Sequence, residues 1–99
     1  MNAKVVVHSW RTAGVPLAAG RIVFSGPYVR GGVELDLRRF VGEAQGVTVT
    51  PAQGFVFEYD PQTKRLKVLQ SAGHGPLEEV PTGTDLTGLT AHFLAWGAF

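Results

Sequence analysis

The chain has 99 residues, which fits one domain spanning 1-99, and 44% of them are hydrophobic against 17% charged, enough for a single core. With no cysteine, a disulfide framework and a thiolate metal site are both excluded. Nine basic residues against eight acidic ones leave a net charge of +1, too balanced for the multiple phosphate contacts of a nucleic-acid binder. The opening run Met1–Val7 ends at His8 and Ser9, too short for the apolar region of a secretory signal. Nothing approaches the roughly 20 apolar residues of a membrane-spanning helix. The sequence therefore reads as a protein made in a cytoplasm, binding no nucleic acid and no membrane. Asn2 is the sole Asn, Arg outnumbers Lys, and the prolines fall in loops. A hot environment and a GC-rich genome account for that pattern equally well.

Lys4–Arg11 reads as the first strand, with β-branched Val5-Val6-Val7 and with Trp10 on the face of Val6 and His8. Thr12–Pro16 turns, and Ala18–Ser25 is a second strand in which Ile22 and Phe24 share one face. Gly26–Val33 is a loop built on Pro27 and Gly31-Gly32. Asp36 then caps one helical turn that stacks Leu37, Phe40 and Val41 at spacings of three and four. Gln45–Thr50 is a strand, followed by a hairpin over 55–70. In it Phe55, Phe57 and Tyr59 form one face, and Asp60 closes the turn through an Asx hydrogen bond. Leu77–Val80 is a short strand, Thr82–Thr87 a polar turn, and Leu89–Trp96 the last strand. There Leu89, Ala91, Phe93 and Ala95 oppose Thr90, His92, Leu94 and Trp96. About seven or eight short antiparallel strands at regular spacing, with at most one helical turn, indicate an all-β sandwich or closed barrel.

The residue types that carry catalysis are present but not arranged. His8, His74 and His92 lack ligand spacing, and only neighbouring first and last strands would bring His8 to His92. Glu78 and Glu79 point to opposite faces of a strand. Glu58 and Asp60 share a face beside a turn rather than in a cleft. No Gly-x-Ser-x-Gly elbow surrounds Ser9, Ser25 or Ser71, and Gly31-Gly32 lacks the Lys and helix of a phosphate loop. The expectation is a non-enzyme with no catalytic, cofactor-binding or metal-ligating residues.

Interaction residues are easier to nominate. Trp10 and Trp96 read first as seals at the ends of the core. Exposed in a row with Tyr28, they would instead stack on sugar rings or anchor a protein interface. Val29 and Arg30 sit at the tip of the Gly-Gly loop. Arg38 and Arg39 stand beside an apolar patch, where they suit a carboxylate-rich partner. Phe99, at the C-terminus, suits an edge cover or an insertion into a partner.

The order of these features is more specific than any one of them. Tyr28-x-x-Gly31-Gly32 is followed by Leu35-Asp36-Leu37 and by Gly54-Phe55-Val56-Phe57-Glu58-Tyr59-Asp60. Leu66-Lys67-Val68, Glu79-Val80, Thr84-Asp85-Leu86-Thr87 and Leu94-Ala95-x-Gly97 complete the series. From about Ile22 onward this resembles the small β-sandwich structural proteins of tailed bacteriophages, often decoration or cement proteins of the capsid exterior. The chain departs from that pattern at Val29-Arg30 and in the short segment between Val68 and Glu79. The resemblance implies an antiparallel sandwich of jelly-roll type, a virion location on the outside of the head, and the major capsid protein as partner. A homo-oligomer, with a trimer favoured, would match a capsid three-fold axis. A tail or baseplate component and a carbohydrate- or receptor-binding module are the rival readings.

Overall fold

The structure is a computed structural model that describes residues 1–11, 14–71 and 76–98. Eight strands and one helical turn follow in the order β1 (Asn2–Arg11), β2 (Leu17–Ser25), β3 (Val33–Glu34), α1 (Arg38–Val41), β4 (Glu43–Val49), β5 (Phe55–Asp60), β6 (Arg65–Ser71), β7 (Leu77–Glu79) and β8 (Thr90–Ala98). They build two antiparallel four-stranded sheets. The first has the order β1-β2-β8-β4. In the second, β5 flanks one side of β6, while β3 and β7 pair with successive halves of its other side.

Alternation of apolar and polar residues places each sheet's inner face. Along β8 the pattern is unbroken, with Ala91, Phe93, Ala95 and Gly97 buried and Thr90, His92, Leu94, Trp96 and Ala98 exposed. On β2, Ala18, Ile22 and Phe24 are buried. The two inner faces meet where the rings of Phe24 and Phe57 stack, 5.5 Å between centroids and 7° apart in plane. Leu66 and Val68 from β6, Val41 from α1, and Val80 and Leu89 from loops close the core. The hairpin turns as its residues require, with the Gln62 N–H donating to Asp60 Oδ1 at 2.9 Å. Asp36 receives the Arg38 N–H at 3.1 Å at the start of the helical turn, although Leu37 holds the cap position itself.

Two bulges depart from simple alternation, and each rests on a strand glycine. In β1 the register steps from Val7↔Gly20 to Ser9↔Ala19, so His8 is the extra residue. A Cβ on Gly20 would lie 2.0 Å from the Val6 carbonyl oxygen, so only glycine admits the bulged backbone. In β4 the register steps from Ala44↔Gly97 to Gly46↔Trp96, leaving Gln45 extra. A Cβ on Gly46 would lie 2.2 Å from the indole of Trp96, which lies across it.

The first bulge corrects the placement of Trp10. Beyond His8 the side chains exchange faces, so Trp10, opposite Ala18, shares the inner face with Ala3, Val5 and Val7 rather than the outer face with Val6.

Candidate functional site

Tyr28 anchors one corner of the sandwich. It is 0% exposed, so its side chain cannot be the surface aromatic that the sequence suggested. Its hydroxyl donates to Glu79 Oε2 at 2.5 Å and accepts the Val68 N–H at 3.2 Å. The Gly31 N–H donates to the same carboxylate oxygen at 2.7 Å, so Glu79 ties the Gly31-Gly32 turn to β7. Burial, reinforced by the hydrogen bond to Glu79, pushes the Tyr28 phenol up to about 12. Burial alone would raise Glu79. The Tyr28 hydroxyl, the Gly31 N–H and the charges of Lys67 and Arg30 outweigh it and hold the carboxyl below its usual range. Backbone bonds sew this corner to the polar turn that follows β7: Tyr28 N–H to the Thr84 carbonyl at 2.7 Å and Gly83 N–H to the Tyr28 carbonyl at 2.8 Å. The Arg30 N–H adds a bond to Thr82 Oγ1 at 3.0 Å.

The open edge lies beside this corner. β1 runs for 10 residues, while β3, on the same side of the opposing sheet, has only 2. That mismatch leaves the inner face of β1 only partly covered: Ala3, Val5 and Val7 pack against the core but stay half-buried, and Trp10 is exposed. A groove of about 750 Å³ results, walled by Ala3 and Val5 on one side and Val29, Val33, Arg39 and Phe40 on the other. Of the residues nominated from sequence, Val29 (53% exposed) and Arg39 line it directly. Trp10 extends the same surface. It is 57% exposed, and its ring meets Phe40 edge to face at 5.6 Å and 68°. The Arg39 guanidinium carbon lies 5.8 Å from the centroid of that same Phe40 ring. Phe40, Val5 and Arg65 belong to this surface without having been singled out. Only the stacking of Phe40 on Leu37 and Val41 hinted at it.

Elsewhere the nominated residues disperse. Arg38 makes a two-pronged pair with Asp36, its Nε and Nη2 each 3.1 Å from a carboxylate oxygen, which commits it within the chain. Trp96, 38% exposed, lies on the outer face of the first sheet beside Leu94 and opposite Leu17. Neither tryptophan seals the core, and the two occupy opposite faces of the sheet, so with Tyr28 buried they form no row. β2 separates β1 from β8, which keeps His8 away from His92. Phe99 and His74 lie outside the described residues. Among the described residues no group of three His, Asp or Glu side chains could hold a metal ion, and no helix is long and apolar enough to cross a membrane.

The chemistry this arrangement offers is contact: a trough of mixed lining, with Glu34, Asp36 and Arg65 beside its apolar residues, a cation resting on an aromatic ring, and an unpaired strand edge. Comparison of the chain with family models, with curated proteins and with solved structures returns no match.

Proposed function

We propose that this chain is a virion structural protein, a decoration or cement protein that binds the major capsid protein on the outside of a tailed-phage head and stabilises the shell. The partly open inner face of β1 carries the proposal, since its groove holds Val29, Arg39 and Phe40 and adjoins Trp10, whose ring meets Phe40. The ordered motifs from Tyr28 to Gly97 supply the connection to capsid-binding proteins. A shell packed with DNA is under outward pressure, and a small clamp adds contact area at each junction it spans. Repetition over the shell lets modest affinity per site reinforce the whole. A trimer on a three-fold axis is the assembly this role favours, and in this role the chain performs no chemistry.

The jelly-roll form of the sandwich belongs to the same proposal. Its support is β8, the last strand, which slots between β2 and β4 while the intervening β3 crosses to the other sheet. The test is binding of purified protein to expanded heads that lack it. Saturable binding and a raised shell melting temperature are expected, and both should fall for Trp10→Ala and Arg39→Ala. Binding to tails and not to heads would move the assignment to a tail or baseplate component.

A further inference from the structure

The three strands β1, β2 and β8 contain Lys4, His8, Arg11, Arg21 and His92 and not one Asp or Glu. All eight acidic residues of the chain lie elsewhere. The bulge at His8 sharpens this asymmetry. Lys4 and Arg11 are seven residues apart and would occupy opposite faces of a regular strand. With one residue bulged they share the outer face, opposite Val23 and Leu17. Arg21, opposite Val6, stands between them on the same face. Among the described residues none of these three cations makes an ion pair. The outer side of the β1 edge is therefore a basic stripe, and its inner side borders the groove, whose apolar patch of Val5, Val29 and Phe40 is flanked by Glu34, Asp36 and Arg65.

A long free edge is a template for another strand. Along it every second residue turns its backbone N–H and C=O away from β2. We propose that β1 accepts an extended segment of a partner protein as a fifth strand of the first sheet, and that this segment alternates carboxylates with small apolar side chains. On one side the carboxylates would meet Lys4, Arg21 and Arg11. On the other, the apolar side chains would enter the groove beside Val5, Val29 and Phe40. At about 750 Å³ the groove falls within the roughly 300–1,000 Å³ typical of ligand sites. A second copy of this chain suits the edge poorly. A symmetric pairing of β1 with β1 would set Lys4 and Arg11 of one copy against Arg11 and Lys4 of the other, and like charges facing each other across strands are destabilising. The inference goes beyond the capsid reading, since it fixes the chemistry of the segment and not the protein that supplies it.

The experiment is an amide-resolved NMR titration of the intact chain with a capped ten-residue peptide of alternating Val and Glu. Shifts and slowed hydrogen exchange confined to the amides of β1 and the groove wall are expected. A Val-Lys peptide should not bind. The double variant K4E/R11E, altered only at exposed positions, should bind the Val-Glu peptide at least about tenfold more weakly. Raising the salt from about 0.05 M to about 0.5 M should weaken binding too. N-methylation along one edge of the peptide should abolish binding, while methylation along the other should be tolerated. Equal binding of both charge types, equal effects of the two methylation patterns, or shifts on the Trp96 face instead would overturn the proposal. So would sedimentation as a dimer with β1 amides already protected before any peptide is added.

Discussion

The corner around Tyr28 and the edge along β1 adjoin through Val29, yet they meet opposite requirements. At the corner the Tyr28 hydroxyl and Glu79 Oε2 have partners inside the chain, because a buried hydroxyl and a half-buried carboxylate left unpaired would each cost about 1–3 kcal/mol. Along β1 the open backbone groups and the cations Lys4 and Arg11 face outward, where water or a partner satisfies them. The loop whose composition looks adhesive is thus a rivet, and the strand that looks merely structural is the edge left open. Polarity and glycine in a loop indicate a turn; whether the turn is free depends on what lies behind it.

The contrast can be broken most severely at the corner. Tyr28→Ala should cost about 3–5 kcal/mol in urea unfolding, the range for deleting a buried aromatic ring. Tyr28→Phe keeps the ring but strands the Val68 N–H and leaves Glu79 with only the Gly31 N–H, for a loss of about 1–3 kcal/mol. Gly20→Ala tests whether the corner and the edge are separable. The added methyl would strike the Val6 carbonyl, costing about 1–3 kcal/mol, and relief by losing the bulge would return Trp10 to the outer face. Denaturant melts combined with Trp10 fluorescence would read both effects, while the Tyr28 hydrogen bonds should persist.

Acidity and alkalinity probe the same corner more gently. The Glu79 carboxyl is held below its ordinary 4.5, so its contribution to stability is complete above that value and is lost as pH falls through the lower folded value. Tyr28 has the opposite sign. Its phenol is raised from 10.0 to about 12, so its contribution is complete below pH 10 and disappears between 10 and 12. Melting temperature followed across both windows should fall at each end, and Tyr28→Phe should remove the part of the alkaline fall that comes from this phenol. The smallest stability effect belongs to the edge. Trp10→Ala, at a half-exposed ring, should change unfolding by no more than about 1 kcal/mol, and under the proposed function it should also weaken attachment to heads.

Local pattern settled a good deal of this molecule. The alternation over Leu89–Trp96 assigned the β8 side chains from Thr90 to Trp96 to their faces, and the hairpin over 55–70 carries its own turn chemistry in Asp60. Those features depend on neighbours in sequence, because a strand's period and an Asx turn are local properties. Val29 and Arg39 could be nominated from residue type and local position, but the groove that both of them line could not. It arises from the unequal lengths of β1 and β3, strands that belong to different sheets.

The bulge is the plainest case of what tertiary structure alone decided. Nothing near His8 announces an extra residue. The permission comes from Gly20, on the neighbouring strand, whose missing side chain lets the Val6 carbonyl press inward. That single contact sends Trp10 to the groove side and brings Lys4 and Arg11 onto one face. Likewise Tyr28 is buried because Glu79 and Val68, 51 and 40 residues away, close over its hydroxyl. The period of a strand is written residue by residue, whereas the partner that bends it or buries its neighbour is chosen across the sheet, where sequence distance carries no information.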